Sequence, residues 1–177
     1  YPLTLPSNFD SLVVFAENTQ GRNTNLYTKK EQIYVHTGDR WKVHITYPRQ
    51  ALSTARAIKA FLLALKGGVG TFIAGDPYAI NPSGVGGGSP VINGASQTGF
   101  TLNTTGWPVS TTNVLKSGDY IQIGTYNLHM VLTNASSNGS GVASLDIWPR
   151  IRTSPSNGSA VVVTSPKCLF RLEESDV

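Results

Sequence analysis

Three histidines, one cysteine and ten acidic residues are the groups in this chain that can carry chemistry. His36 and His44 fall on neighbouring apolar segments, and His129 lies far along the chain. A metal site needs two or three such ligands converging with a carboxylate, and no H-x-x-x-H or C-x-x-C spacing is present. Cys168 stands alone, which excludes an internal disulfide. Between Lys167 and Leu169 it reads as a small apolar residue of a strand, because a reactive thiol needs exposure and a lowered pKa. The acids that fall inside ordered segments are Asp76, Asp119 and Asp146. Asp76 precedes Pro77 and Asp119 follows Gly118, positions where aspartate bonds its own turn. No G-x-S-x-G elbow exists, and the glycine run 84–88 lacks the G-K-[ST] ending and the following helix of a phosphate loop. It is expected to be a tightly turned connector. No catalytic, metal or cofactor site is therefore assigned.

Asn-x-Ser/Thr triplets begin at Asn103, Asn134, Asn138 and Asn157. In a chain this rich in Asn, Ser and Gly they are expected to be turn residues rather than glycan acceptors. Aromatic residues leave one binding option open. If the rings of Trp107, Tyr120, Tyr126 and Trp148 are exposed on a β surface, they form a platform for sugars or single-stranded bases. If buried, they are core.

The elements that would position these groups are mostly strands. Charged residues make up only 14 % of the 177 residues, against roughly 25 % in an ordinary globular protein. Gly, Ser, Thr and Asn take their place, and such a surface loses little hydration on packing against another molecule. The net charge of +4 is scattered without a stripe, which argues against a dedicated nucleic-acid surface. No run of 18 apolar residues suggests a membrane-crossing helix.

Segments 12–16 and 32–36 read as short strands, and residues 40–47 alternate strictly. Trp41, Val43, Ile45 and Tyr47 share one face, and Arg40, Lys42, His44 and Thr46 share the other. Pro48 ends the run. From Ser53 to about Lys66 the spacing predicts a helix with Ser53 or Thr54 as cap. Ile58, Phe61, Leu62 and Leu65 form its apolar stripe, and Gly67 and Gly68 end it. Another short strand is expected at 71–74. Residues 75–98 are Gly/Pro/Ser/Asn-rich and read as an irregular crossing. Beyond them come strands at 120–123, 126–132, 142–148, 160–163 and 168–172. Leu128, Met130 and Leu132 are expected on one face, and Asn138 with Gly139 signals a hairpin. The acidic tail 173–177 is expected to fray.

The order of these motifs resembles that of the distal tail (Dit-like) proteins of long-tailed bacteriophages. Carrying the resemblance are GDRW at 38–41, the helix 55–65 closed by Gly67 and Gly68, TFIAGDP at 71–77, and GASQTG at 94–99. TGW at 105–107, LKSGDYIQIG at 115–124 and FRL at 170–172 complete it. The resemblance implies a mainly β fold: a β-sandwich with one packed α-helix, plus a second small β-barrel, OB-like or galectin-like. It implies a discontinuous ring-forming domain of 1–78 with 166–177, and a peripheral all-β domain of 79–165. As a virion structural protein, such a chain forms a homo-oligomeric ring, hexameric in that family, at the distal end of the tail tube. Its partners would be copies of itself, the tail tube protein, the tail hub or tip protein and the tape measure protein, with nucleic acid met only as the passing genome. It would assemble in the host cytoplasm and reside in the virion tail. The alternative is a binding module, from about 86 to 165, that recognises glycan or single-stranded nucleic acid through the four aromatics.

Overall fold

A computed structural model describes residues 2–173; the end of the acidic tail, 174–177, lies outside them. The fold is mainly β, with one helix. Its elements are β1 (Leu3–Thr4), β2 (Ser11–Glu17), β3 (Gln20–Thr24), β4 (Glu31–Val35), β5 (Arg40–Thr46), α1 (Leu52–Ala64) and β6 (Phe72–Ala74). Then follow β7 (Val91–Ile92), β8 (Gly99–Thr105), β9 (Tyr120–Ile123), β10 (Asn127–Val131), β11 (Ala143–Ile151), β12 (Val161–Val162) and β13 (Cys168–Phe170).

The larger body is a six-stranded sheet in the order β12-β9-β10-β11-β8-β7. It curls into a nearly closed barrel, because the two edge strands meet. Val91 bridges Ala160, the Ile92 N–H donates to the Ser159 carbonyl (2.9 Å) and the Val161 N–H to that of Pro90 (2.9 Å). Closure removes the exposed edges that would otherwise template pairing. Ile92, Leu102, Leu115, Ile121, Val131, Leu145 and Ile147 fill the interior. Burying each such side chain is worth about 1.5–3 kcal/mol.

The crossing 75–98 is not loose. Its Val85 and Gly86 N–H groups donate to the Asn113 and Val114 carbonyls (2.9 and 2.8 Å), which ties the glycine run to the barrel. Gly88 has φ +71°, and a Cβ there would fall 2.2 Å from the Gly106 carbonyl oxygen. Only glycine fits that approach. Asp119 holds the same segment. Its carboxylate accepts from the Lys116 N–H (2.8 Å), the Ser83 N–H (2.7 Å) and hydroxyl (2.6 Å), and the Gly84 N–H (3.1 Å).

The N-terminal half is built differently. β2 pairs only with β5, and β3 only with β4; the third sheet, β1-β6-β13, has three short strands. β13 pairs with β6 in antiparallel register, so the end of the chain returns to residues 72–74. Leu12, Leu65, Phe72, Ala74 and Phe170 form a small second core, joined by half-buried Val43, Ile45 and Phe61. Phe72 stacks on Phe170 and meets Phe61 edge-on, with ring centroids 5.9 and 6.0 Å apart.

Several expectations change. The helix starts one residue earlier, at Leu52, with Ala51 in the capping position and no side-chain cap; Ser53 and Thr54 lie inside its first turn. None of the residues Leu52–Ala64 is fully buried. The stripe residues Ile58, Phe61 and Leu62 are half-buried, and only Leu65, just past the helix, is sealed. In β10 Leu128 and Met130 share one face, as their alternation predicts, while His129 and Val131 share the inward face with Ile121. β11 runs through Pro149 to Ile151, its register against β8 shifting after Asp146; proline is tolerated at such an irregularity. At the Asn138–Gly139 turn the positive φ belongs to Gly141, not Gly139. The Asn138 side chain accepts from the Ser140 and Val142 N–H groups. Asn134 and Asn157 instead accept from the distant Ser117 and Gly94 N–H groups, and Asn103 lies within strand β8 rather than in the turn expected for it.

Candidate assembly surface

Where the two halves meet, the outer face of the barrel carries Tyr120 from β9 and Met130 from β10, a directly opposed pair, and Trp148 from β11 beside them. Trp41 of β5 lies on this face. Its ring is 4.6 Å from Trp148, edge-on at 86°, and 5.5 Å from Tyr120. Its Nε1–H donates to the Leu128 carbonyl at 2.8 Å. Trp148 Nε1–H in turn donates to Asn18 Oδ1 at 3.1 Å. Tyr120 and Trp148 therefore form an aromatic surface as the sequence allowed, but the chain's own Trp41 occupies it. Trp107 sits inside the barrel, its Nε1–H donating to Thr104 Oγ1 (2.8 Å), which donates to the Ala143 carbonyl (2.8 Å). Tyr126 takes φ +64° in the turn after β9. The four aromatics do not converge on one exposed platform.

Polar contacts flank the seam. Asp39 is buried, and its carboxylate accepts from Arg150 Nε at 3.3 Å. Arg152 donates to the Asp39 backbone carbonyl and, from Nε, to that of Thr37 at 3.1 Å. Trp148, Arg150 and Arg152 recur every second residue, a signal for one strand face that reading Pro149 as the strand's end conceals. On the outer edge Glu17 accepts from Arg40 and from Lys42 (2.9 Å), and Lys42 also meets Glu173 at 2.6 Å. The hydrogen bond from Arg40, then that from Lys42, holds the Glu17 carboxyl below its ordinary range. Arg40 and Glu173 are exposed and Glu17 and Lys42 half-buried at the surface, so their contribution is small and screened by salt.

The histidines do not converge. His36 and His44 are exposed, and His129 is buried. Among the described residues no three His, Cys, Asp or Glu side chains form a metal-binding group. Asp76 accepts from the Tyr78 N–H in its own turn at 2.9 Å, as read. Asp119 reaches beyond its own turn to the crossing. Half-buried Cys168 packs on the second core, where burial pushes the thiol pKa up and disfavours the thiolate.

His129 Nδ1–H donates to the Pro149 carbonyl at 2.7 Å. Burial pulls its pKa below the ordinary 6.5, outweighing that carbonyl, which favours the charged ring. Between the two pKa values the unfolded chain binds the extra proton, so the stability His129 contributes is complete above about 6.5 and lost as pH falls through the folded value. Thermal melts from pH 7.5 to pH 5 are expected to show a falling midpoint. His129→Gln should flatten that slope, and an equal slope in the variant would remove His129 from the explanation.

The two halves also enclose a cleft of about 1300 Å³. Val43 and Ile45 of β5, Ile58, Phe61 and Leu62 of α1, and Leu128 and Pro149 of the barrel contribute to its walls. Beyond it, β3 and β4 project as an arm: all their residues except Gly21 are exposed. The Asn25 side chain closes the tip, accepting from the Tyr27 and Thr28 N–H groups at 2.9 Å each. Sequence reasoning missed β3, Gln-Gly-Arg-Asn-Thr, because it carries no apolar residue to reveal a strand.

Comparison with protein-family models and with curated proteins finds no match. Among the described residues no helix is long and apolar enough to cross a membrane.

Proposed function

We propose that this chain is a structural subunit of a phage tail that closes into a homo-oligomeric ring at the distal end of the tail tube, with the tube above it and the hub or tip protein below. One observation carries the reading. The barrel half completes its own hydrogen bonding and core, whereas the N-terminal half ends in two- and three-stranded sheets with unpaired borders and an exposed arm. A two-stranded sheet is marginal in water, so these borders gain most from a neighbour. A head-to-tail contact whose rotation closes yields a ring. The role is geometric and not catalytic. The order of motifs along the chain gives the resemblance to distal tail proteins, and the low charge density suits repeated packing. Electron micrographs of the purified chain should show rings with a central pore, and fields of isolated small particles at high concentration would refute the reading.

A further inference from the structure

The arm gives the ring a specific joint. Leu26 and Tyr27 at its tip are 72 % and 91 % exposed, and Ile33, Tyr34 and Val35 along β4 are 51 %, 48 % and 63 % exposed. Ile33 and Val35 share one face of β4 and Tyr34 takes the other. At about 150–250 Å² for a whole aromatic side chain, and somewhat less for an aliphatic one, Leu26, Tyr27, Ile33 and Val35 leave roughly 450 Å² of side-chain surface in water. That is within the range of the largest apolar patch on a typical monomer, and about half of the roughly 800 Å² that each partner buries in a stable interface. Five-residue strands at about 3.4 Å per residue carry the tip about 17 Å from its root. Among the described residues none covers Tyr27.

The same chain holds a recess with an apolar stretch of wall among charged residues such as Lys42 and Arg150. The cleft is walled by Val43 and Ile45 on one side and by Ile58, Phe61 and Leu62 on the other, and none of these five is fully buried. A projection and a recess at different places on one surface make a head-to-tail contact, the kind that closes into rings. We infer that the β3–β4 arm of one copy seats Leu26 and Tyr27 in the cleft between α1 and β5 of the next copy. This inference rests on the ring reading and names the contact that builds the ring.

The test uses the full chain. Leu26→Ser with Tyr27→Ser is expected to raise the concentration needed for assembly at least tenfold in sedimentation. The melting of the dissociated chain should be nearly unchanged, because both side chains lie mostly in solvent. In a Cys168→Ser background, Tyr27→Cys with Ile58→Cys and a short bis-maleimide should give a ladder of covalently joined copies. A serine pair that assembles at the wild-type concentration, or a cysteine pair that gives no ladder, would overturn the arm-in-cleft joint and leave the ring reading standing. A wild-type chain that stays monomeric would remove both.

Discussion

Trp41→Ala is expected to destabilise the protein by about 3 kcal/mol, the lower end of the range for truncating a large aromatic, because the ring is half-buried. The loss has three sources. The edge-on contact with Trp148 and the tilted contact with Tyr120 disappear. The Leu128 carbonyl loses its indole donor. Tyr120, buried in the wild-type chain, becomes exposed across the seam. Trp41→Phe should recover the packing but not the hydrogen bond, and fall between the two. Trp148→Ala in the Trp41→Ala background should cost less than it does alone, by about 0.5–1.5 kcal/mol, because the aromatic pair is then already broken. Denaturant melts of the four chains measure this, and an unchanged midpoint for Trp41→Ala would show that the seam does not form.

Asp119→Ala should cost about 3 kcal/mol or more, since one buried carboxylate satisfies four donors and its removal strands them. Burial pushes the Asp119 pKa up, but the donors from Lys116, Ser83 and Gly84 outweigh it and hold the carboxyl below its ordinary 3.8. A lowered carboxyl stabilises the fold above the unfolded value, so this contribution persists through neutral pH and is lost only as the pH falls below about 3.8. Asp119→Ala should also free the crossing around Ser83 and Gly84, seen as faster amide exchange at those residues. Wild-type exchange there would mean that the segment is held by other contacts.

Much of the fold was legible locally. The alternation from Arg40 to Thr46 gave both the strand and its faces, because one side packs inward and the other meets water. The spacing of Ile58, Phe61, Leu62 and Leu65 gave the helix, since only a 3.6-residue period joins them. What failed was information held between distant segments. Trp41 lies on the apolar face of its strand, but that its ring crosses to residues 79 and 107 positions away in sequence is not written in either segment. The aromatic surface of Tyr120 and Trp148 was therefore found without its occupant. β3 was missed because a strand with both faces in water needs no apolar residue. β8 was missed because Leu102 and Thr104, its two sealed positions, include a polar residue whose hydroxyl is satisfied inside the barrel. Asp39 was hidden in the motif at 38–41, where only its distant partner Arg150 gives it a role.

Mass in solution tests self-assembly most directly, because the barrel half needs no partner and the N-terminal half is proposed to need one. Sedimentation across a wide concentration range should show a whole-number multiple of 18.9 kDa, sixfold if the resemblance extends to ring size. A single species of 18.9 kDa at every concentration would contradict it.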